Sequence, residues 1–172
     1  MNVFGLRSLL SLCCAVGALT TGAAAQDLIF SAQPTESCLS IASDPGRCIG
    51  ASADQCMTET PGGETTVGMG GCLWAEAQYW DTRLNRAYTG LRALEQQADA
   101  DDASYGLTTA SRADALRDMQ RAWIAFRDAT CAYEATQWGG GTGAGPASNA
   151  CWMMQTGRQA LVLEARLSEM TP

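Results

Sequence analysis

Two polar residues, Gln120 and Arg127, lie where an amphipathic helix normally presents apolar side chains. At 100° per residue they share one face with Trp123 and Cys131, within the stretch MQRAWIAFRDATC. A carboxamide and a guanidinium on an inward face are suited to bind a polar ligand or other buried polar groups. Two interpretations follow: a polar pocket or contact patch, and a polar network that fixes the register of packed helices.

An arginine inside a helical domain keeps its charge, so it needs carboxylate or carbonyl partners. Asp81, Asp128 and Glu134 are the candidate partners for such an arginine. A second inward arginine, Arg158, is predicted on a later helix. The full candidate set for the network or contact patch is Asp81, Asn85, Gln120, Arg121, Trp123, Arg127, Asp128 and Arg158.

Composition restricts the catalytic chemistry that is possible. The chain has no histidine, and its 11 basic residues are all arginines. This excludes imidazole bases, Schiff-base lysines and the lysine of phosphate-binding loops. A carboxylate-based hydrolase is the remaining alternative, and it requires two carboxylates roughly 5 to 10 Å apart across a cleft. We therefore predict a protein that is not an enzyme, with no catalytic residues, no cofactor and no metal site.

The N-terminus has the pattern of a secretory signal peptide. Arg7 precedes the apolar run LLSLCCAVGAL and the small-residue stretch TTGAAAQD, which predicts cleavage after Ala25. Lipidation at Cys13 or Cys14 is the alternative, but LSLC lacks the small residue expected before a lipidated cysteine. No later apolar stretch approaches the roughly 20 residues of a membrane span. We expect a periplasmic or secreted protein without a membrane span.

Six cysteines remain after the predicted cleavage, an even number that suits disulfides in an oxidising compartment. Zinc binding is disfavoured because the chain has neither C-x-x-C pairs nor histidine. One bond is predicted between Cys131 and Cys151, across a glycine-dense connector at residues 139–149. The spacing leaves the pairing of the other four open. The six are Cys38, Cys48, Cys56, Cys72, Cys131 and Cys151.

Helical periodicity begins at Cys72, and it predicts the helices that position the candidate polar residues. Apolar side chains recur at spacings of three and four, which predicts helices over about 72–98, 109–137 and 148–169. The first is expected to stop at the acidic run 99–102, and the second to begin near Ser111. The third is expected to bury Cys151, Met154, Arg158, Leu161, Val162 and Ala165.

Residues 26–71 differ in composition from the rest of the chain. They are rich in Gly, Ser, Thr, Pro and Cys and show no sustained period, which predicts a loop-rich extension held by its own cysteines. The predicted fold is all-α: a disulfide-stabilised antiparallel three-helix bundle with a loop-rich, cysteine-containing N-terminal extension. The predicted segments are a signal peptide at 1–25, the extension at 26–71 and the helical domain at 72–170.

Three stretches together resemble a known family. They are CLWAEAQYWDTRLNRAY (72–88), MQRAWIAFRDATCAYEA (119–135) and ACWMMQTGRQALVLEARL (150–167), and they are similar to the N-terminal domain of the lysozyme inhibitor LprI-like family. The resemblance implies an exported helical domain, and it supplies no catalytic residues. The matching positions are Asp81, Leu84, Asn85, Tyr88, Gln120, Arg121, Trp123, Arg127, Asp128, Cys131, Cys151 and Arg158.

The charge of the chain indicates the type of partner. Its 11 basic and 18 acidic residues give a net charge of −7, or about −8 without Arg7. Such a chain repels nucleic acid and attracts cationic proteins. With the resemblance, this predicts a protein that binds and inhibits lysozyme or a related peptidoglycan-cleaving enzyme, through the connector 139–149 or acidic edges at Asp81 and 99–102. The alternative is an envelope interaction or structural module with another target, and the oligomeric state stays open.

Overall fold

The computed structural model describes residues 27–171, and the predicted signal peptide lies outside them. This range contains five α-helices, a short 3₁₀ helix at Pro45–Cys48 and no strand. The all-α prediction is confirmed, whereas the count of three helices is too low. The helices are α1 (Gln33–Leu39), α2 (Ala51–Glu59), α3 (Thr66–Ser104), α4 (Arg112–Thr136) and α5 (Ala144–Met170).

Three disulfides connect neighbouring elements. Cys38 bonds to Cys48, Cys56 to Cys72, and Cys131 to Cys151. The predicted Cys131–Cys151 bond is therefore confirmed. Disulfides of this kind fit a compartment that is oxidising. Within residues 27–171, no helix combines the length and the apolar character needed to cross a membrane.

Helix α3 is the longest element, with 39 residues and a length of about 58 Å at 1.5 Å per residue. The Thr65 hydroxyl caps its N-terminus by accepting a hydrogen bond from the Gly68 amide. The predicted apolar face is buried, including Trp80, Leu84 and Leu91. The helix extends beyond both predicted ends, and it packs against α2, α4 and α5.

The acidic run at the end of α3 does not stop the helix, contrary to the prediction, because its side chains have partners at the start of α4. Asp99 accepts hydrogen bonds from the Ser111 hydroxyl at 2.7 Å and from the amides of Arg112 and Ala113 at 2.9 and 3.1 Å. Asp102 lies 2.9 Å from the Arg112 guanidinium. The two carboxylates thus face the positive end of the α4 dipole, which stabilises them.

Helix α5 begins at Ala144, earlier than predicted, and Pro146 fits its first turn because a proline there removes no helical hydrogen bond. The predicted connector 139–149 is accordingly shorter, with only residues 137–143 between the helices. The buried face is rotated from the predicted one, since α5 packs along α3 and its Gly157 lies against Ile49. The buried residues of α5 are Met153, Thr156, Gly157, Ala160 and Leu163.

The three long helices alternate in direction. Helices α3 and α5 are parallel, because residue numbers rise in the same direction along both. The Asn149 side-chain amide donates to the Gly70 carbonyl, and further along both helices Arg83 pairs with Glu164. Helix α4 runs antiparallel to α5, as the Cys131–Cys151 bond and the Gln120–Gln159 hydrogen bond show.

The ion pair between α3 and α5 also affects the pKa of Arg83. Burial opposes the charge on Arg83, but its hydrogen bonds to Glu164 and Tyr79 hold its pKa above the usual value.

The N-terminal extension is helical rather than loop-rich, so that prediction is wrong. It contains α1, the 3₁₀ helix, α2 and the first turn of α3. Its disulfides tie α1 to the 3₁₀ helix and α2 to α3, and Ile49 belongs to the same core as Trp80. The short helices lack a long amphipathic period because tertiary contacts and disulfides stabilise them.

A buried carboxylate, Glu76, joins this N-terminal segment to α3. Its side chain is fully buried and accepts four hydrogen bonds at 2.7 to 3.0 Å. The donors are the Thr35 hydroxyl, the Gly50 and Ala53 amides and the Trp80 indole. These two amides belong to the N-cap residue and the first turn of α2, and Gly50 has no side chain to cap the helix, so Glu76 supplies the cap.

Candidate functional site

Six of the eight candidate polar residues line one cleft between α3 and α4. The cleft has a volume of about 440 Å³, which lies within the range of roughly 300–1,000 Å³ typical of small-molecule sites. Asp128 lies at its edge as the partner of Arg127. The six residues are Asp81, Asn85, Gln120, Arg121, Trp123 and Arg127.

Helical spacing brings the lining residues together. On α3 the positions of Asp81, Asn85, Tyr88 and Arg92 differ by four, three and four, so they follow one edge of the helix. On α4 the cleft is lined from Arg117 to Arg127. Because the helices are antiparallel, Asp81 lies toward the Arg127 end of the cleft and Arg92 toward the Arg117 end.

Arg127 is the most enclosed charge of the site, with 8% of its surface exposed. Its guanidinium carbon lies 3.8 Å from the ring centroid of Trp152 and 4.8 Å from that of Trp123. Its Nε and Nη2 donate to one Asp128 oxygen at 3.0 and 2.9 Å. The two indoles and one carboxylate thus supply the partners that a buried cation requires. Of the three candidate acidic partners, Asp128 is the one that Arg127 contacts.

Gln120 joins the cleft to α5. It is 5% exposed, and its Oε1 accepts a hydrogen bond of 2.6 Å from Gln159. Asp81 is occupied differently, because its carboxylate accepts a hydrogen bond of 2.8 Å from the Asn85 amide on the same helix. Both contacts fix side chains at the cleft wall, so the network interpretation accounts for part of the cluster.

The charges on the cleft wall are unevenly paired. Arg117 donates to Asp118 and lies against Asp114, and these carboxylates raise its pKa. Arg92 and Arg121 form no ion pair with an acidic residue among residues 27–171. The Nε of Arg92 is buried and has no hydrogen-bond partner within that range. Four arginines and one aspartate therefore line the cleft.

Arg158 does not belong to this cluster, and its predicted inward position is wrong. It is exposed on α5, because the rotation of that helix turns Thr156 and Gly157 toward the core instead. Val162 is likewise exposed, at 59%. The apolar residues of α5 cover a wide arc, so either of two neighbouring faces could be the buried one. Packing against α3 determines which face is buried.

Three lining residues were missing from the polar candidate set: Tyr88, Arg92 and Arg117. The signal that identifies them is spacing, since Tyr88 and Arg92 continue the Asp81–Asn85 edge and Arg117 lies three residues before Gln120. Arginine side chains donate hydrogen bonds without accepting them, and four of them line the cleft. The wall is therefore equipped to bind acceptor groups and anions.

The opposite face of α4 carries an exposed apolar stripe. Met119, Phe126 and Tyr133, seven residues apart, are 41%, 60% and 63% exposed, and Ala122 and Ala129 lie between them. One acidic side chain beside this stripe, Asp118, is 63% exposed. The α4 outer face, as we call this stripe, resembles the aromatic- and methionine-rich cores of protein interfaces.

Within residues 27–171, no group of three or more His, Cys, Asp or Glu side chains is placed to hold a metal ion.

Comparison with known proteins gives a family match: residues 56–163 match the family model described as lysozyme inhibitor LprI. No curated protein and no solved structure matches the chain significantly. The match covers more than half of the chain, including all of α3 and α4 and α5 as far as residue 163.

Proposed function

Because this chain belongs to the LprI lysozyme inhibitor family, we propose that it binds and inhibits lysozyme or a related peptidoglycan-cleaving enzyme in the periplasm or outside the cell. The family match over residues 56–163 is the observation that carries the proposal. The net charge of −7 supports it, since an acidic protein is steered toward a cationic enzyme. The three disulfides suit export.

We assign the enzyme contact to the α4 outer face. Its Met, Phe and Tyr side chains are exposed along more than half of the helix, and large apolar and aromatic residues dominate the energy of many interfaces. The nearby carboxylate of Asp118 adds charge complementarity to a basic partner. Asp118 remains 63% exposed despite its ion pair with Arg117, which leaves an oxygen open to a partner.

The contact regions expected from the sequence are less suitable. The carboxylates of Asp99 and Asp102 are occupied by the start of α4 and by Arg112. Asp81 lines the cleft and pairs with Asn85. The connector shrinks to residues 137–143 and carries no charged residue. Trp138 of this connector is 54% exposed, but it lies in a groove with Ala147 and Met154 of α5 rather than on the α4 outer face.

The proposal is tested in a cell-wall lysis assay with purified oxidised protein and lysozymes of the c and g types. We expect inhibition at micromolar protein, and no inhibition of either type would refute the function. Phe126→Asp should weaken inhibition at least about tenfold, as loss of an aromatic anchor does at interfaces. Val67→Asp is the matched control, because Val67 is 71% exposed and lies at the start of α3.

Three outcomes distinguish the proposal of lysozyme inhibition from the proposal that the α4 outer face makes the contact. Inhibition that Phe126→Asp abolishes and Val67→Asp preserves supports both proposals. Inhibition that both variants preserve supports the function but moves the contact away from the α4 outer face. If the protein binds an envelope component without inhibiting either lysozyme, the alternative of an interaction module with another target is correct. Raising the salt concentration should slow association if charge steers the encounter.

A further inference from the structure

The cleft between α3 and α4 is a positive region on an acidic protein. The chain carries a net charge of −7, yet four arginines and one aspartate line this cavity. Asp114, Asp118 and Asp128 neutralise two of the arginines from outside the lining. Arg92 and Arg121 have no carboxylate partner within residues 27–171, so the excess positive charge is located near them.

Arg92 contributes a second, independent observation. Its Nε is buried without a hydrogen-bond partner in the described part of the chain. Folded proteins rarely leave a buried donor unsatisfied, because the group loses its hydration without compensation. A ligand carboxylate at the Arg92 guanidinium would supply acceptors to a group that the described chain leaves without one, and a charged oxygen forms the stronger bond.

The other residues that line the cleft indicate which chemical groups the ligand carries besides its anionic group. Tyr88, Trp123, Leu84 and Ile124 provide ring and aliphatic surface between the two ends of the cleft. Toward the far end, Asp81 accepts a hydrogen bond from Asn85 and repels a second anionic group. Hydroxyl groups suit this end because they donate to carboxylate and amide oxygens.

We propose that the cleft binds a small hydroxylated ring that carries one carboxylate, with the carboxylate at Arg92 and Arg121 and the ring against Trp123. The negative charge of the whole protein disfavours long polyanions, so a small anion is selected over nucleic acid. The site faces the inner side of α4, whereas the α4 outer face lies on the opposite side of that helix. Binding here is therefore separate from the proposed enzyme contact.

Isothermal titration calorimetry with the purified oxidised protein tests the proposal, and no lysozyme is present. One arm compares glucuronate with glucose, and the other compares 4-hydroxybenzoate with 4-hydroxybenzyl alcohol, so each acid has a neutral counterpart. We expect at least one acid to bind about tenfold more tightly than its neutral counterpart, as charge-assisted hydrogen bonds require. The arm with the tighter acid identifies the ring as a sugar or an aromatic.

Arg92→Gln and Arg121→Gln should each weaken binding of that acid about tenfold, while Arg158→Gln leaves it unchanged because Arg158 is exposed outside the cleft. Circular dichroism of the variants verifies the fold. Three results overturn the proposal. They are equal binding of acids and neutral compounds, no binding of either acid at millimolar concentration, or an affinity for the acid that neither cleft substitution changes. Failure of lysozyme inhibition would leave these measurements unaffected.

Discussion

Two polar clusters contact helix α3, and they differ in whether the protein completes their hydrogen bonds. Around Glu76, both carboxylate oxygens are buried and receive four donors from three segments of the chain. In the cleft, Arg92 keeps a buried Nε without a partner in the described chain, and Arg121 lies without an acidic partner there. A completed cluster holds architecture together, whereas an incomplete one beside a cavity is available to a ligand.

Arg127 is intermediate between these two extremes. It belongs to the cleft lining but has its own carboxylate and two indoles, so its requirements are met inside the protein. Its side chain is therefore expected to contribute to stability more than to ligand affinity. The following predictions test this division, from the largest expected effect to the smallest.

Glu76→Ala should produce the largest loss of stability. Removing the carboxylate leaves four buried donors without an acceptor, and breaking such a network costs about 3–5 kcal/mol. Urea unfolding measures the loss, and Glu36→Gln on exposed α1 surface is the control, expected to lie within about 0.5 kcal/mol of the wild type. A Glu76 variant as stable as the Glu36 variant would show that the completed cluster is not architectural.

Arg127→Ala should cost about 2 kcal/mol, because it removes the stem packing and the cation–π contacts with Trp123 and Trp152. The matched control is Arg121→Ala on the same helix, since Arg121 is exposed and should change stability by less than about 0.5 kcal/mol. Thermal unfolding of both variants makes the comparison. Loss of ligand or partner binding with an unchanged melting temperature for Arg127→Ala would contradict its structural role.

Asp99 gives the smallest effect, because its network is complete but more accessible to solvent. The Arg112 amide, the Ser111 hydroxyl and the Ala113 amide hold the pKa of Asp99 below its ordinary value. A lowered pKa in the folded state stabilises the protein above the unfolded-state pKa of about 3.9, and this stabilisation is lost as the pH falls through the folded-state value. Asp99→Asn should therefore melt below the wild type near neutral pH, with the gap closing in acid. Melting temperatures measured across this pH range check the prediction, and a gap that stays constant with pH would contradict it.

Local patterns predicted the parts of the fold that depend on neighbouring residues. The apolar face of α3, the Ser111 cap and the Cys131–Cys151 bond each follow from spacing within one element or one connection. The polar positions on α3 and α4 also converge on one cleft, because helical period fixes which side chains share an edge. Their role as a contact patch stays a prediction.

The parts that were not predicted depend on distant contacts. The acidic run continues the helix because α4 supplies donors to Asp99, and this cannot be read from α3 alone. Glu76 looks like an ordinary solvent-facing residue in the sequence, since its amide partners lie 23 and 26 residues away. Arg158 was placed inward because the α5 stripe is wide, and only its packing against α3 determines the rotation.

Helix α4 is held at both ends, by Asp99 at its start and by the Cys131–Cys151 bond near its end. A helix fixed at one end can swing, whereas one fixed at both ends keeps a nearly constant distance from its neighbours. The cleft beside it therefore loses little conformational entropy when a ligand enters. Because the disulfide forms in an oxidising environment, oxidative maturation of the chain would also determine when α4 acquires its final position beside α5.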